Sequence, residues 1–365
     1  MKKITALVVK SVYYCIGFCT IIIGALYVTS DLKPQVWQPD PPQSLSGAFA
    51  INNRLSGLQP VLEHIGLGPE DMALHPTSGM IYTAFENGDI VYFDPQAIDV
   101  SDSVTLVNNT QGRPLGLRFD VDGNLYVADA LRGLLKIDQQ GRITILATHY
   151  KGQKLQFIDH LAVAKDGTVY FSNASQRFTM HNFVYDFLET SMTGGIFAYH
   201  PKSDSVTSVL TGLFFANGVA LSAQDDFLLI NETGKARILR YWLSGDKAGS
   251  HEIFIDGLPA MPDNIYLDPD GVFWVGLINL RDPLVEQLAS YPFIRKLLGG
   301  IPASWFTPSS EYGMVIALDT QAKVIHNLQT ATAYTSITSA LPFRGKLYVA
   351  SLRQSHLAAI PLSEL

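Results

Sequence analysis

A short pattern recurs six times along this chain and limits what the chain can fold into. Each copy combines an apolar strand, a tight turn and a second strand that carries an aromatic residue. Strand meanders that repeat without helices between them are typical of a β-propeller, in which each repeat forms one blade. An antiparallel sandwich is the alternative, but the regular phasing favours an all-β, six-bladed β-propeller. The copies lie at 72–85, 117–129, 161–173, 219–231, 265–277 and 337–352.

Equivalent positions in the six copies carry mostly oxygen-donating side chains. Three of the five intervals between these positions are 44 to 46 residues, which is near the length of a four-stranded blade. Equivalent positions on the innermost strands of a propeller converge on its central channel, so we expect these side chains to face one another. The residues two places before the first strand of each copy are Glu70, Leu115, Asp159, Asn217, Asp263 and Thr335.

The two longer intervals contain insertions, and the N-terminal region completes the predicted ring. Apolar clusters at 183–189 and 284–306 within these insertions are typical of short amphipathic helices. Such helices are expected to cover the channel mouth, to pack on the propeller surface or to touch a membrane. The sixth copy lacks a fourth strand, and the apolar stretch 58–65 is predicted to supply it, which removes both free sheet edges.

The N-terminal segment predicts a membrane anchor. Residues 11–28 carry no charge, and a membrane-spanning helix needs about 20 predominantly apolar residues. Lys2, Lys3 and Lys10 precede this segment, so the positive-inside rule places the N-terminus in the cytoplasm. The propeller would then lie in the periplasm, in a secretory lumen or outside the cell. The alternative is a signal peptide cleaved near residues 28–30, which would yield a secreted protein.

The sequence thus predicts an anchor over 1–30, a Pro-rich stalk over 31–56 and the propeller over 57–365. Both cysteines, Cys15 and Cys19, fall within the apolar segment, so the propeller has none for a disulfide. The net charge of −7 and the lack of a basic stripe argue against nucleic acid as a partner.

The predicted ring contains a candidate cation site. Glu70, Asp159 and Asp263 would enter one narrow channel, where three carboxylates cannot all stay ionised without a counter-charge. Asn217 and Asn264 add amide oxygens, and no Lys or Arg occupies a ring position. Because every donor is an oxygen, Ca²⁺ is favoured over Zn²⁺. The alternatives are a calcium ion that only joins the blades, and polar side chains that line a water-filled channel.

Two histidines near the predicted channel are possible general bases. His160 directly follows Asp159, and His181 lies in the first insertion. A lone histidine is more often a structural residue, which is the interpretation we favour for His181. No Ser-His-Asp arrangement has the local sequence context of a nucleophile elbow.

Several short motifs, taken together, resemble a known family over essentially the whole chain. They are RPLGL (113–117), LYVADA (125–130), FANGV (215–219), ILRYWL (238–243), PDNI (262–265) and YPFIRK (291–296). The family is that of the strictosidine synthase-like proteins, including its membrane-anchored branch, the adipocyte plasma membrane-associated proteins. More distantly, the chain is similar to paraoxonases, gluconolactonase/regucalcin and diisopropylfluorophosphatase, which are six-bladed propellers with a catalytic calcium ion.

The resemblance implies a set of calcium ligands and also marks departures from it. Leu115 stands where paraoxonases carry a histidine implicated as a base. His160 replaces an acid that binds a second, structural calcium ion, which disfavours that ion although Asp71 is retained. Residues 333–337 contain no acid where strictosidine synthase needs a glutamate, so alkaloid condensation is disfavoured. The implied calcium ligands are Glu70, Asp159, Asn217 and Asp263, with Asn264 next to them.

These observations predict a membrane-anchored, calcium-dependent hydrolase of the arylesterase or lactonase type that acts on a small ester or lactone. Asp263 or Asp159 would serve as base or nucleophile, with His160 as a weaker candidate. The alternative from another class is a non-catalytic anchored propeller that binds a ligand or a protein at its channel mouth.

Overall fold

Six four-stranded antiparallel sheets form the molecule, as the sequence predicts. The computed structural model describes residues 2–306 and 311–365. The first three blades run outward from strands β2, β6 and β12, and a small hairpin, β10–β11, joins the second blade to the third. The strands are β2 (Met72–Leu74), β3 (Ile81–Ala84), β4 (Asp89–Phe93), β5 (Thr105–Asn109), β6 (Pro114–Phe119), β7 (Leu125–Asp129), β8 (Gly133–Ile137), β9 (Ile143–Ala147), β10 (His149–Tyr150), β11 (Gln153–Lys154), β12 (Ile158–Val163), β13 (Val169–Asn173), β14 (Gly194–His200) and β15 (Ser205–Leu213).

The last three blades begin with strands β16, β20 and β24. Neighbouring first strands contact one another, so these strands are the innermost of each blade. The strands are β16 (Ala216–Leu221), β17 (Phe227–Glu232), β18 (Arg237–Trp242), β19 (His251–Ile255), β20 (Ala260–Leu267), β21 (Phe273–Leu280), β22 (Gly313–Leu318), β23 (Val324–Thr330), β24 (Ile337–Phe343), β25 (Lys346–Ser351) and β26 (Leu357–Pro361).

The sixth blade takes its outer strand from the other end of the chain. Strand β1 (Gln59–Val61) pairs antiparallel with β26, with Pro60 opposite Ala358. The sheet order is β1-β26-β25-β24, so the prediction that 58–65 supplies this strand is confirmed. Joining the two ends in one blade removes the unpaired edges that an open ring would present.

The repeated Gly and Asp residues make the turns between the first two strands of a blade. The Asp120 carboxylate accepts hydrogen bonds from the backbone N–H groups of Asp122 and Asn124, at 3.0 and 2.8 Å. Asp268 does the same in the fifth blade. Gly123 has a φ of 82°, a left-handed conformation that favours glycine. The turn chemistry therefore fixes where each strand ends.

The hydrophobic core lies between adjacent blades. Leu117 and Val127 of the second blade pack against Ala73 and Ile90 of the first, and all four are essentially buried. Alternation along each strand gives one apolar face to each neighbouring blade. Similar clusters join the other blades, so burial of these faces holds the ring together.

Helices occur at the N-terminus and in the two insertions, as predicted. The first, α1 (Lys2–Thr29), contains a segment over Lys10–Thr29 with a mean hydropathy of 1.9, long and apolar enough to cross a membrane. The insertions hold α2 (Val184–Glu189), α3 (Pro283–Leu288) and α4 (Pro292–Leu298). Short 3₁₀ turns lie at Gly47–Phe49, Arg54–Gly57, Ser101–Ser103, Thr233–Lys235, Ala303–Trp305 and Leu362–Glu364.

The segment predicted as a stalk, 31–56, makes contacts along the propeller. The side chains of Leu32, Phe49 and Leu55 are buried, and the last two join clusters between blades. Trp37 meets the ring of Phe214 edge to face, with the ring centroids 5.5 Å apart. This segment therefore covers part of the face where the insertions lie.

Candidate functional site

Interruptions in the innermost strands place the predicted ring residues at the channel. The strand pairing skips Leu115 in β6, Asp159 in β12, Asn217 in β16 and Asp263 in β20. A residue in such a β-bulge leaves the ladder, and its side chain is re-aimed. The same local feature in four successive blades therefore turns these side chains toward one another.

The first and sixth blades follow the pattern with differences. Glu70 and Asp71 directly precede β2, and both are buried. In the sixth blade the interruption falls at Thr338, whose hydroxyl donates to the Glu70 carbonyl at 2.5 Å. The prediction that Thr335 holds the sixth ring position is wrong, because the residue that the strand pairing skips in β24 is Thr338, three positions later.

Glycines beside two of the bulges allow the innermost strands to approach closely. A Cβ on Gly116 would lie 2.8 Å from the Cα of His160, and one on Gly218 would lie 2.4 Å from the Asp263 carbonyl oxygen. No larger residue fits at these distances without moving the neighbouring backbone. The glycines therefore set the spacing between blades on which the site depends.

A cavity of about 480 Å³ brings most of the ring residues together. Aromatic side chains form much of its wall, and they include Trp37 from the segment before the propeller. His181 of the first insertion also lines it. Asn264 and His160 are fully buried and do not line it. Its lining includes Glu70, Leu115, Asp159, Asn217 and Asp263 from the ring, and Phe157, Phe183, Phe187, Phe214 and Phe215 from the wall.

The three carboxylic acids of the ring disfavour one another's ionisation. Burial raises the pKa of Glu70 well above its ordinary value, and the carboxylates of Asp263 and Asp159 raise it further. Burial also raises the pKa of Asp159, and the nearby Asp263 carboxylate raises it further. Burial raises the pKa of Asp263 itself to about 7. The Arg113 guanidinium opposes these shifts at Glu70 and Asp159. The site therefore favours either bound protons or an added positive charge.

Four oxygen atoms at the ring have no hydrogen-bond partner within the described chain. They are buried, and an unpaired buried oxygen costs about 1–3 kcal/mol unless another group satisfies it. Carboxylate and amide oxygens are ligands that Ca²⁺ prefers, so the donor set fits that ion. The atoms are Glu70 Oε2, Asn217 Oδ1, Asp263 Oδ1 and Asn264 Oδ1.

The amide donors are necessary to this fit. Within residues 2–306 and 311–365, no three His, Cys, Asp or Glu side chains are grouped closely enough to hold a metal ion by themselves. A cation here therefore depends on Asn217 and Asn264 as well as on the acids. A hydrogen bond of 3.4 Å from the Asn264 amide to the Glu70 carbonyl links the fifth blade to the first at this point.

His160 is placed to support the ring rather than to meet a ligand in the cavity. Its Nδ1 accepts a hydrogen bond of 3.0 Å from the backbone N–H of Val219, and its Nε2 lies 3.5 Å from the Asp71 carboxylate. Burial and the Arg118 guanidinium lower the pKa of His160. Both ring nitrogens are thus engaged within the protein, which favours a structural role over that of a general base.

Arg118 is a central residue that the sequence analysis did not identify. Its guanidinium pairs with Asp71 at 2.7 Å, lies 3.0 Å from the His160 ring and donates to the Ile265 carbonyl at 3.0 Å. Burial tends to raise the pKa of Asp71, but Arg118 and the hydrogen bonds from His160 and Leu117 lower it well below its ordinary value. The Arg118 guanidinium thus neutralises the Asp71 carboxylate and links four blades.

Two polar residues, one in β17 and one just after it, fix the bulge that carries Asp263. The Asn231 amide donates to the Asp263 carbonyl at 2.6 Å, and the Thr233 hydroxyl just after the strand donates to the Pro262 carbonyl at 2.7 Å. Asn231 and Glu232 are fully buried at the end of an otherwise apolar strand. The sequence offered one signal for these residues, namely polar side chains within otherwise apolar strands. Arg118 in the apolar run of β6 gives the same signal.

The Arg118→Met variant is expected to lose about 3–5 kcal/mol of unfolding free energy, because it leaves the Asp71 carboxylate buried without its counter-charge. Urea unfolding followed by tryptophan fluorescence measures the loss. Arg142→Met is the matched control, since the Arg142–Asp138 pair has a similar 2.8 Å distance but lies on the surface. Equal losses in the two variants would contradict this role, whereas partial recovery in Arg118→Met/Asp71→Asn would support it.

Comparison with known proteins identifies the family. Family models for "Strictosidine synthase" and "Strictosidine synthase-like, N-terminal" match residues 159–246 and 47–93. The protein strictosidine synthase-like 6 of Arabidopsis thaliana is 33% identical, over 97% of this chain and 95% of that protein. The chain belongs to the strictosidine synthase-like family. Another relative, adipocyte plasma membrane-associated protein of Salmo salar, is 29% identical over 98% of this chain and 91% of its own.

Solved structures of low sequence identity share the propeller fold. A gluconolactonase from Xanthomonas campestris aligns with a TM-score of 0.60 at 15% identity, over 91% of this chain and 99% of that one. Regucalcin, a calcium-binding protein from Agrobacterium tumefaciens, aligns with a TM-score of 0.55 at 14% identity, over 83% and 90%. The resemblance inferred from the sequence motifs is confirmed. At these identities the likeness to the solved structures establishes the fold alone.

Proposed function

We propose that this chain is a membrane-anchored, calcium-dependent hydrolase of the arylesterase or lactonase type that acts on a small ester or lactone. One observation carries the proposal: buried oxygens without partners, from the first, fourth and fifth blades, lie beside a largely apolar cavity. Such a cavity with a few convergent polar groups is the usual form of a small-molecule site. The gluconolactonase and regucalcin structures support this choice at the level of the fold.

The ring residues divide into ion-binding and proton-handling roles. Glu70, Asn217 and Asn264, together with the two aspartates, would hold a calcium ion. Calcium bound there supplies a Lewis acid that polarises the carbonyl oxygen of an ester or lactone. Asp263 and Asp159 both line the cavity, so either carboxylate is placed to take a proton from an attacking water or to attack the carbonyl carbon itself.

The aromatic wall is suited to the apolar part of a substrate. The Phe215 ring lies 4.8 Å from that of Phe187 and 5.5 Å from that of Phe157, measured between centroids. Phe215 also holds a φ of 58°, an uncommon conformation for a bulky residue. These side chains would bind an aryl or alkyl group and exclude water from the ring of acids.

A non-catalytic propeller that binds a ligand in this cavity is the second candidate. It is favoured by Leu115, an apolar side chain at a ring position, and by the engagement of both His160 nitrogens outside the cavity. These features leave the hydrolase without a histidine base at the ring. Condensation of the strictosidine synthase type remains the less favoured possibility, since residues 333–337 contain no acid.

The experiment is a screen of the purified full chain in detergent against aryl esters, lactones and phosphotriesters, with excess calcium and with a chelator. The hydrolase proposal expects turnover of at least one ester or lactone that is lost in chelator and restored by calcium. Lack of any chelator-sensitive turnover, combined with binding of an apolar ligand in the cavity, would favour the second candidate.

The anchor implies an arrangement across the membrane that can be tested separately. We propose that α1 stays attached, with Lys2, Lys3 and Lys10 in the cytoplasm and the propeller on the other side. In sealed vesicles of known orientation, protease is expected to digest the propeller only where its side is exposed. Digestion in the opposite vesicles would reverse the assignment. A soluble mature protein that begins near Asp31 would identify α1 as a cleaved signal peptide.

A further inference from the structure

The second insertion exposes a set of large apolar side chains. Their side chains are between 40% and 75% exposed, and they lie on α3, on α4 and in the turns beside α4. Single exposed apolar residues are ordinary, but a contiguous group marks an interaction surface. We name this group the α3–α4 patch, which consists of Leu284, Val285, Tyr291, Phe293, Ile294 and Trp305.

The α3–α4 patch stands on a fixed base. Arg295 follows Ile294 on α4, yet its side chain is buried. The Arg295 guanidinium donates to the Leu188 carbonyl at 3.1 Å and the Thr190 hydroxyl at 2.8 Å, which ties α4 to the first insertion. It also donates to the Ala289 carbonyl at 2.7 Å, beside α3. The exposed residues are therefore presented by a rigid element with its polar contacts on the inner side.

The patch is continuous with the C-terminal end of α1. The rings of Tyr27 and Phe293 stack with their centroids 5.6 Å apart, and the Lys296 ammonium lies 4.7 Å from the Tyr27 ring centroid. A Cβ on Gly300 would lie 2.4 Å from the Leu26 carbonyl oxygen, so glycine permits this approach. The apolar surface of α1 therefore continues directly onto α4.

This continuity points to lipid as the partner of the α3–α4 patch. The Lys10–Thr29 segment of α1 contains no buried residue and is long enough to span a bilayer. Its end touches the patch, so the patch lies where the helix leaves the hydrocarbon region. Tyr291 and Trp305 are residue types that concentrate at membrane interfaces, and Lys296 can lay its stem along apolar surface while its ammonium stays in water. A rigid apolar surface of this composition, next to a spanning helix, fits an interfacial lipid contact.

We propose that the α3–α4 patch docks on the lipid bilayer beside the anchor and holds the cavity at the membrane surface. Val285 belongs to the patch and also lines the cavity, as do Glu286 and Ala303 from the same insertion. Docking therefore gives an apolar ligand a short path from lipid to cavity. The proposal does not depend on catalysis, because a binding protein would gain the same path.

Quenching of Trp305 by brominated lipid tests the docking. The full chain is reconstituted in phosphatidylcholine vesicles with plain or brominated acyl chains, and tryptophan emission is compared. The chain has four tryptophans, and Trp305 is the one in the patch. Brominated lipid is expected to lower wild-type emission, and Trp305→Phe is expected to lose that lowering. Phe293→Asp with Ile294→Asp should lose it too, since both changes are at exposed positions that permit folding.

Ile98→Asp is the matched control, because Ile98 is fully exposed on the first blade, away from the patch. It is expected to keep the wild-type response. Equal quenching in wild type and Trp305→Phe would overturn the proposal, as would an unquenched wild type. Cross-linked dimers joined through the patch in vesicles would also overturn it, since a second copy would then cover the surface instead of lipid.

Discussion

In chelator at pH 8, the Asp263→Asn variant is expected to be more stable than the wild-type protein, and excess calcium is expected to remove most of that advantage. Without a cation, the wild type must keep Asp263 ionised near Glu70 and Asp159. The variant removes one of these charges while nearly preserving the side-chain shape. With calcium present, the same substitution removes a ligand, so the variant gains less from the ion.

The pH dependence follows from the raised pKa of Asp263. Its ordinary pKa is 3.8, and burial raises it to about 7 in the folded protein. The folded state thus holds a proton that the unfolded chain releases near pH 4. The contribution of Asp263 to the free energy of unfolding is fully present below about pH 4, and it is lost as the pH rises through about 7. The same sign holds for Glu70 and Asp159, whose pKa values are also raised.

The magnitudes are large enough to measure by thermal or urea unfolding. The shift at Asp263 corresponds to up to about 4 kcal/mol of lost unfolding free energy at pH 8, at about 1.4 kcal/mol per pKa unit. Calcium at a hundredfold excess over its Kd restores about 2.7 kcal/mol by binding the folded state. Asp102→Asn, at an exposed position, is the control and should follow the wild type throughout.

Two outcomes would contradict this account of the site. Wild-type stability that is the same in chelator and in calcium at pH 8 would remove the cation from the ring. A chelated wild type that gains stability between pH 4 and pH 7 would show that these carboxylates are ionised at little cost. In either case the buried oxygens would have to be satisfied by water.

The propeller could be predicted because its signals are local and repeated. Each turn carries its own chemistry, as at Asp120 and Asp268, and each strand alternates on its own. The outer strand near Pro60 could be predicted because the sixth repeat was one strand short. Family membership and fold followed from the same repeats and from motifs spread along the whole chain.

The site was less predictable where it depends on contacts between blades. The ring residues from Leu115 to Asp263 could be found from the spacing of the sequence repeats, because each bulge lies at the same distance from the end of its strand. Thr335 was assigned to the ring in error, because the bulge of the sixth blade lies at Thr338, three residues further along the chain. Arg118 meets Asp71 and His160 only when three blades are assembled, and sequence spacing does not contain that information.

Loss of the Asp263 carboxylate is also expected to remove catalysis. If the hydrolase proposal holds, Asp263→Asn should lower kcat for an aryl ester by about 10²-fold or more, as is typical for removing a general base. His160→Gln should keep a measurable fraction of activity, because the His160 ring contacts Val219 and Asp71 and does not line the cavity. Initial rates at saturating substrate and calcium measure both effects.

The pH profile and calcium binding separate the possible bases. With calcium bound, the ion favours the ionised carboxylates, so the profile should have no obligatory limb near the free-histidine pKa of about 6.5. Asp159→Asn, measured beside Asp263→Asn, distinguishes the two carboxylates if each variant still binds calcium by titration calorimetry. An inactive His160→Gln that still binds calcium would contradict the assignment of the base to Asp263 or Asp159 and would favour His160 in that role.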